Sequence, residues 1–310
     1  MKAKSNIIHI WKNRILVTGA YGLLGSNLAE TIADGYERFG MVRTHKPDFD
    51  LSGVTYVEGD IVDRKRVLEL VKKIQPNIII NAAAYTNVDK SEVDREACWK
   101  TNVEGVANLA YAARLIDARL VHVSTDYVFD GKKQTPYKET DRTNPLGFYA
   151  KSKLAGENAL HAGGGDFAIA RTMILYGYSR SAGPNFVTWV IEQLRNKQRI
   201  RIVDDQIGQP TLASELAAAL LKLAESDCDG IFHISGTEAL SRYDFTLEIA
   251  KLFDLDTNLI ERIKTTALEQ PAPRPMHSVF DLTRLETELG VKMSGAADGL
   301  EKFKARYPLQ

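Results

Sequence analysis

Tyr149 and Lys153, four residues apart, and the hydroxyl of Thr125 earlier in the chain are residue types that together can reduce a carbonyl. On a helix, residues four apart share a face with Cβ atoms about 5–6 Å apart. An ammonium beside a phenol favours the phenolate and lowers the tyrosine's proton affinity from about 10 towards the working range of an acid. Such a tyrosine can hand a proton to a carbonyl oxygen while a hydride arrives at the carbon. The segment from Pro145 has a helical pattern, with Thr143 or Asn144 as cap, Pro145 in the first turn, and Ala150, Leu154 and Ala155 as good formers. Thr125 follows Ser124 at the end of the apolar run Leu120 to Val123, which places two hydroxyls at the carboxyl end of a buried strand. A Tyr-x-x-x-Lys pair alone carries little weight, so the surrounding elements decide.

The first of those elements would bring in a second reactant. Arg14 to Thr18 reads as a short buried strand that runs into Gly19-Ala20-Tyr21-Gly22-Leu23-Leu24-Gly25 and then a helical pattern to about Ala33. Glycines at Gly19, Gly22 and Gly25 between strand and helix let backbone N–H groups and the helix N-terminus approach a pyrophosphate, with Tyr21, Leu23 and Leu24 lining the turn. The competing reading is an ordinary tight connection. Phe39 to Arg43 is the second strand. A fold that takes NAD usually places a carboxylate near its end, whereas here Arg43-Thr44-His45-Lys46 precedes the first carboxylate, Asp48. Cations and hydroxyls suit a 2′-phosphate, so NADPH is the expected cofactor and NADH the second choice; exposed loop charge is the competing reading.

Val54 to Val57 forms a third strand ending near Asp60 and Ile61, a carboxylate and an apolar side chain suited to an adenine amino group and its ring. An N-cap role for Asp60 or Asp63 on the helix Arg64 to Ile74 explains the same residues equally well. Asn77 to Ile80 is a fourth strand followed by the small residues Ala82, Ala83 and Ala84, which leave room for a ligand at a strand end or for a packed helix. Glu92 to Ile116 is helical in pattern, with Asn102 placed to bond backbone and bend the helix. Phe167 to Arg171 is a further strand. The alternation predicts an α/β fold, a Rossmann-type doubly wound parallel sheet over residues 1–171, completed by about residues 212–235. Residues 172–310 form mainly a smaller C-terminal α/β substrate domain: a helix Phe186 to Asn196, a strand Ile200 to Val203, and a polar ligand-facing loop Asp204 to Thr211. Helix Leu212 to Leu223 and strand Ile231 to Ser235 return to the sheet, and a cap of two helices and the loop Gln270 to Ser278 closes the chain. Arg274, between prolines, is a candidate for a substrate phosphate or a plain exposed arginine.

The 310 residues carry 40 basic and 40 acidic side chains. Zero net charge without a basic stripe excludes nucleic acid or an anionic membrane as a bulk electrostatic partner. Two distant cysteines and six unpaired-looking histidines predict a reducing compartment, no disulfide and no metal site. No apolar run reaches membrane-spanning length, and Met1 to Asn13 lacks a signal-peptide core, so a cytoplasmic protein with a short N-terminal extension is expected.

The pieces GAYGLLG, NAAAYTNVDKSE, STDYVFDG, YAKSKLAGE and QIGQPT, with a weaker echo at RPMHS, together resemble the extended short-chain dehydrogenase/reductases. Within them the chain is most similar to the dTDP-4-dehydrorhamnose reductase (RmlD-like) family. The resemblance implies NADPH-dependent reduction of the C4 keto group of a 4-keto-6-deoxy nucleotide sugar. It implies Tyr149 as proton donor, Lys153 on the nicotinamide ribose, Thr125 polarising the carbonyl, and Val88 and Tyr127 near the sugar. Gln206 and Arg274 would lie towards the nucleotide, and a homodimer stays open. One departure stands out: Ile174 occupies a position where this family usually has a tryptophan against the sugar. RTMILYG there is closer to the regulatory beta subunit of methionine adenosyltransferase, so a non-catalytic cofactor-binding subunit, or a reductase or epimerase of another nucleotide sugar, is the alternative.

Overall fold

The computed structural model describes residues 13–308, so the expected extension lies outside the described residues but for Asn13. The chain runs β1 (Asn13–Thr18), α1 (Leu23–Thr31), β2 (Tyr36–Val42), β3 (Val54–Glu58), α2 (Arg64–Ile74), β4 (Ile78–Asn81), α3 (Arg95–Trp99), α4 (Gly105–Leu115), β5 (Arg119–Thr125), α5 (Phe148–Gly163) and β6 (Phe167–Thr172). It continues with β7 (Leu175–Tyr176), α6 (Phe186–Arg195), β8 (Ile200–Val203), β9 (Ile207–Gly208), β10 (Thr211–Leu212), α7 (Ala213–Glu225) and β11 (Gly230–His233). The last elements are β12 (Leu240–Ser241), α8 (Arg242–Leu252), β13 (Ile260–Ile263), α9 (Thr283–Leu289) and α10 (Ala296–Arg306).

Seven parallel strands form one sheet in the order β11-β6-β5-β4-β1-β2-β3. The apolar runs such as Ile78–Ile80 and Leu120–Val121 are the signature of strands covered on both faces. Leu28 of α1, Leu216 and Leu220 of α7 and Leu285 of α9 cover one face, while Val67 of α2, Leu109 of α4 and Leu160 of α5 cover the other. Strand order reverses between β1 and β4, and the crevice above their carboxyl ends is where such sheets take ligands. A smaller unit packs around Tyr176, Val190, Ile202, Phe245 and Phe303, joining α6, β8, α8 and α10 beside that crevice.

Three local expectations are corrected. The helix expected from Glu92 to Ile116 is α3 and α4 joined by a π turn over Lys100–Glu104. Asn102 sits in that turn, accepting from Tyr85 N (2.9 Å) and donating to Tyr85 O and Ser152 Oγ, so its amide serves neighbouring segments in place of a regular α repeat. α5 begins at Phe148 behind Gly147, not at Pro145; the Phe148 N–H is taken by Glu92 Oε1 at 2.7 Å, and Asn144 donates to Asp130 instead. The chain after Ser241 holds three helices, and α9 buries Leu285 and Leu289 against the large sheet instead of capping the cleft.

Candidate functional site

The glycine turn packs directly on β4's exit. Gly19 has φ +67°, and a Cβ there would sit 3.0 Å from Ala83 N and Cα, so this conformation and approach require glycine. A Cβ on Gly25 would fall 2.2 Å from Gly19 O, which explains how α1 closes so tightly on β1. No side chain caps α1, whose first N–H groups stay available. Tyr21, Leu23, Ala82, Ala83 and Ala84 are half-buried around this cradle, Gly22 is exposed at its lip, and Leu24 points into the core. These features fit a dinucleotide pyrophosphate.

At the end of β2, Arg43 is exposed. The fold also brings two carboxylates there that spacing along the chain did not reveal: Glu58 accepts from His45 N (2.7 Å), and Asp50 accepts from Tyr21 Oη (2.6 Å) and bonds His45 Nε2 (2.8 Å). Both are occupied by these partners, and Asp50's carboxyl is held below its usual range mainly by the Tyr21 hydroxyl. Arg43 and Lys46 remain as exposed cations of this stretch. Asp63, not Asp60, caps α2, accepting from Arg66 N at 3.0 Å. Asp60 accepts from Val62 N, and Ile61 is buried beneath Gly105.

A row of buried polar groups crosses the strand ends from the cradle to α5. Thr18 Oγ1 donates to Asn81 Oδ1 (2.6 Å), which also accepts from Ala83 N (3.2 Å). That fixes Asn81 Nδ2 as donor to His122 Nδ1 (3.0 Å), so the neutral imidazole carries its proton on Nε2, 3.5 Å from Lys153 Nζ. Lys153 Nζ donates to Val123 O at 2.7 Å, and burial pushes its amine down to about 8. One turn further, Glu157 accepts from Arg171 Nε (3.0 Å) and Nη2 (2.7 Å) and from Ser124 Oγ (2.5 Å), bolting α5 to β5 and β6.

Tyr149, Lys153 and Glu157 therefore share one face of α5 as the spacing predicts. The phenol itself differs from expectation. Burial raises Tyr149 and a hydrogen bond with Thr125 opposes this, while the Lys153 amine donates to the Val123 carbonyl. Thr125 sits at the end of β5, donating to Asp126 Oδ1 (3.1 Å) and accepting from Tyr127 N (3.2 Å). The Tyr127 ring meets Tyr149 edge-on, centroids 5.8 Å apart. Burial pushes Asp126 up to about 6 against the pull of Ser278, Thr125 and Arg242.

On the far side of the cleft, Val88 is half-buried next to Asp89. Arg274 does not present a free fork: Nη1 and Nη2 both bond Asp89, at 2.6 and 2.7 Å, so it is not the plain exposed arginine of the competing reading. The Asp204 to Thr211 loop is also less open than expected. Asp204 pairs with Arg262 and Lys264, Asp205 accepts from Thr265, and buried Gln209 accepts from Phe280 N and Ser235 Oγ. Gln206 is the half-buried member beside the cleft, donating to Thr265 Oγ1 and Gln270 Oε1. Ile174 adopts φ +43°, an uncommon state for a β-branched residue, and its Cδ1 fills the space beside Gly208. The sequence reading missed His122, Asp126, Glu157, Arg171 and Asp89 as site supports. His122 was the most accessible signal, since a histidine inside an apolar central strand must have a partner.

Residues 13–308 match the family model described as the RmlD substrate binding domain. A dTDP-4-dehydrorhamnose reductase of Aggregatibacter actinomycetemcomitans is 35% identical over 303 residues, covering 94% of this chain and 98% of the relative. A probable low-salt glycan biosynthesis reductase of Haloferax volcanii is 33% identical over 294 residues, covering 94% and 97%. Among solved structures, a dTDP-4-dehydrorhamnose reductase from Bacillus anthracis in complex with NADP superposes with TM-score 0.87 at 32% identity, covering 96% of this chain and all of that one.

Proposed function

The chain belongs to the RmlD substrate-binding-domain family, and from that premise we propose that it is an NADPH-dependent reductase of the C4 keto group of a 4-keto-6-deoxy nucleotide sugar, dTDP-4-dehydrorhamnose, yielding dTDP-L-rhamnose. The observation that supports this best is the adjacency of the Thr125 and Tyr149 hydroxyls at the end of β5, with buried Lys153 behind them and the glycine cradle across the crevice. When bound, the reduced nicotinamide supplies the hydride. Gly19, Gly22, Gly25 and the open N-terminus of α1 would hold the pyrophosphate, Ala82 to Ala84 the floor, Asp60 and Ile61 the adenine side, and Arg43 the 2′-phosphate.

Thr125, turning its one proton from Asp126 Oδ1, donates to the carbonyl oxygen and so draws charge onto it. Tyr149 delivers its proton to that oxygen as the carbon is reduced, leaving a hydroxyl on the sugar and a phenolate on the protein. Lys153, charged below about pH 8, would bond a ribose hydroxyl and stabilise the phenolate. Val88 and Tyr127 flank the sugar, with Gln206 and the Asp89-held Arg274 towards the nucleotide. The reductase names of the relatives support catalysis over a purely regulatory, cofactor-binding role. The experiment is direct: mix purified protein with NADPH and dTDP-4-dehydrorhamnose and follow the absorbance of the reduced nicotinamide. Loss dependent on the sugar is expected, and none at high protein concentration would sink the proposal.

A further inference from the structure

Arg242, the first residue of α8, is a cation the mechanism above leaves without work. Its backbone N–H donates to Gln206 O at 3.1 Å, so it stands beside the cleft residue Gln206. Its guanidinium carbon lies 5.1 Å from the centre of the Phe186 ring at the start of α6. The side chain is half-buried, yet among the described residues its guanidinium makes no ion pair and donates no hydrogen bond, and it lies over that ring. Five N–H donors withdrawn from much of their water without an acceptor are costly, and a stacked guanidinium keeps its donor edge free for a planar or phosphate oxygen pair.

The neighbouring anions are already engaged. Asp89 is bound by both terminal nitrogens of Arg274. Asp126 accepts from Thr125 Oγ1 at 3.1 Å. The charge of Arg242 is felt at Asp126 and Tyr127, so it stands within electrostatic reach of the reacting end of the cleft. A stretch holding two arginines, with the carboxylate of one spoken for and the other unpaired, has the electrostatics of an anion subsite between the sugar position and Phe186.

We infer that Arg242 is a specificity-determining residue that grips the diphosphate of the nucleotide sugar through its guanidinium fork, with Phe186 holding the plane. The inference rests on the nucleotide-sugar reading above and adds the group that recognises the anionic link. A charge-assisted, two-point contact of this kind, when removed, weakens binding by about 10-fold or more.

The test measures dTDP binding calorimetrically, with NADPH binding and thermal melting as checks of fold. Arg242→Gln is expected to bind dTDP about 10-fold more weakly while binding NADPH like the unsubstituted protein, and to raise KM for the sugar nucleotide by more than it lowers kcat. Arg242→Lys, a point charge without the fork, should recover part of the loss. Should Arg242→Gln fail to fold, Arg242→Met, which keeps the stem on Phe186, carries the same expectation. Unchanged dTDP affinity in a folded variant, or no dTDP binding by the unsubstituted protein at millimolar concentration, overturns the inference. Because the assay needs no turnover, a protein that binds dTDP through Arg242 yet reduces no sugar would sink the reductase reading alone.

Discussion

The Tyr149 phenol holds its proton tightly, since burial disfavours the phenolate. A phenol in that condition donates only where the product phenolate is met by a cation, so its hydroxyl matters to turnover and little to cofactor affinity. Tyr149→Phe is expected to lower kcat by roughly 10²–10⁴-fold with NADPH binding nearly unchanged; equal loss of both, by stopped-flow and fluorescence titration, would remove the assigned role. Lys153 gives the pH dependence. Its amine, pushed down to about 8, is charged below that value and neutral above, so kcat/KM should bend downward as pH rises through about 8. Stability moves the other way: from about pH 8 up to 10.5 the unfolded chain binds a proton that the native one does not, so unfolding free energy contributed by Lys153 rises with pH. Lys153→Met should abolish both trends, and a descending limb at the same pH in that variant would assign it to another group.

The position of α5 decides where those side chains point, and two carboxylates hold it, one from a distant segment and one its own. Glu92 takes the Phe148 N–H at its start, and Glu157 is paired with Arg171 in the interior. Glu157→Gln leaves Arg171 buried without its counter-charge and is expected to cost about 3–5 kcal/mol, seen as a lower urea midpoint with unchanged slope. These supports also mark where reading the chain ran out. Six of the seven central strands and α2 were legible within a residue or two, because strands buried on both faces must be apolar and Asp63 caps its own helix locally, whereas β2 starts three residues before the expected Phe39, on the half-buried Tyr36, Glu37 and Arg38. The start of α5 was not, since its acceptor lies 56 residues away, and the local cap candidate Asn144 donates to Asp130 instead. The π turn at Asn102 depends on Tyr85 and Ser152, and Arg274's fork on Asp89, 185 positions earlier. Tyr149, Lys153 and Thr125 could be picked out because helix spacing and strand ends are local; what each one bonds is not.

Across the whole molecule, the Asp89–Arg274 pair ties the loop carrying Ala272 to the segment after β4, with Asp89 also accepting from Ala272 N at 3.2 Å. Asp89→Ala should speed amide hydrogen exchange across residues 270–278 by about 10-fold or more while leaving β4 and β5 protected, as expected for a charge-assisted contact that restrains one loop. Uniform faster exchange throughout would show that the pair supports the entire fold instead. The path of the chain around the cleft has its own consequence. After β6 the backbone leaves the large sheet for β7 and α6, returns as α7 and β11, leaves again through α8, returns as α9, and finishes on α10, whose Arg306 reaches back to Asn27 and Glu30 of α1. Two bodies laced together so many times cannot swing apart like a jaw on one pivot. Entry and exit of a bulky guest must then be the business of the rim segments, and a taste for a different sugar can be acquired by exchanging a few residues on those rims without disturbing the seam beneath.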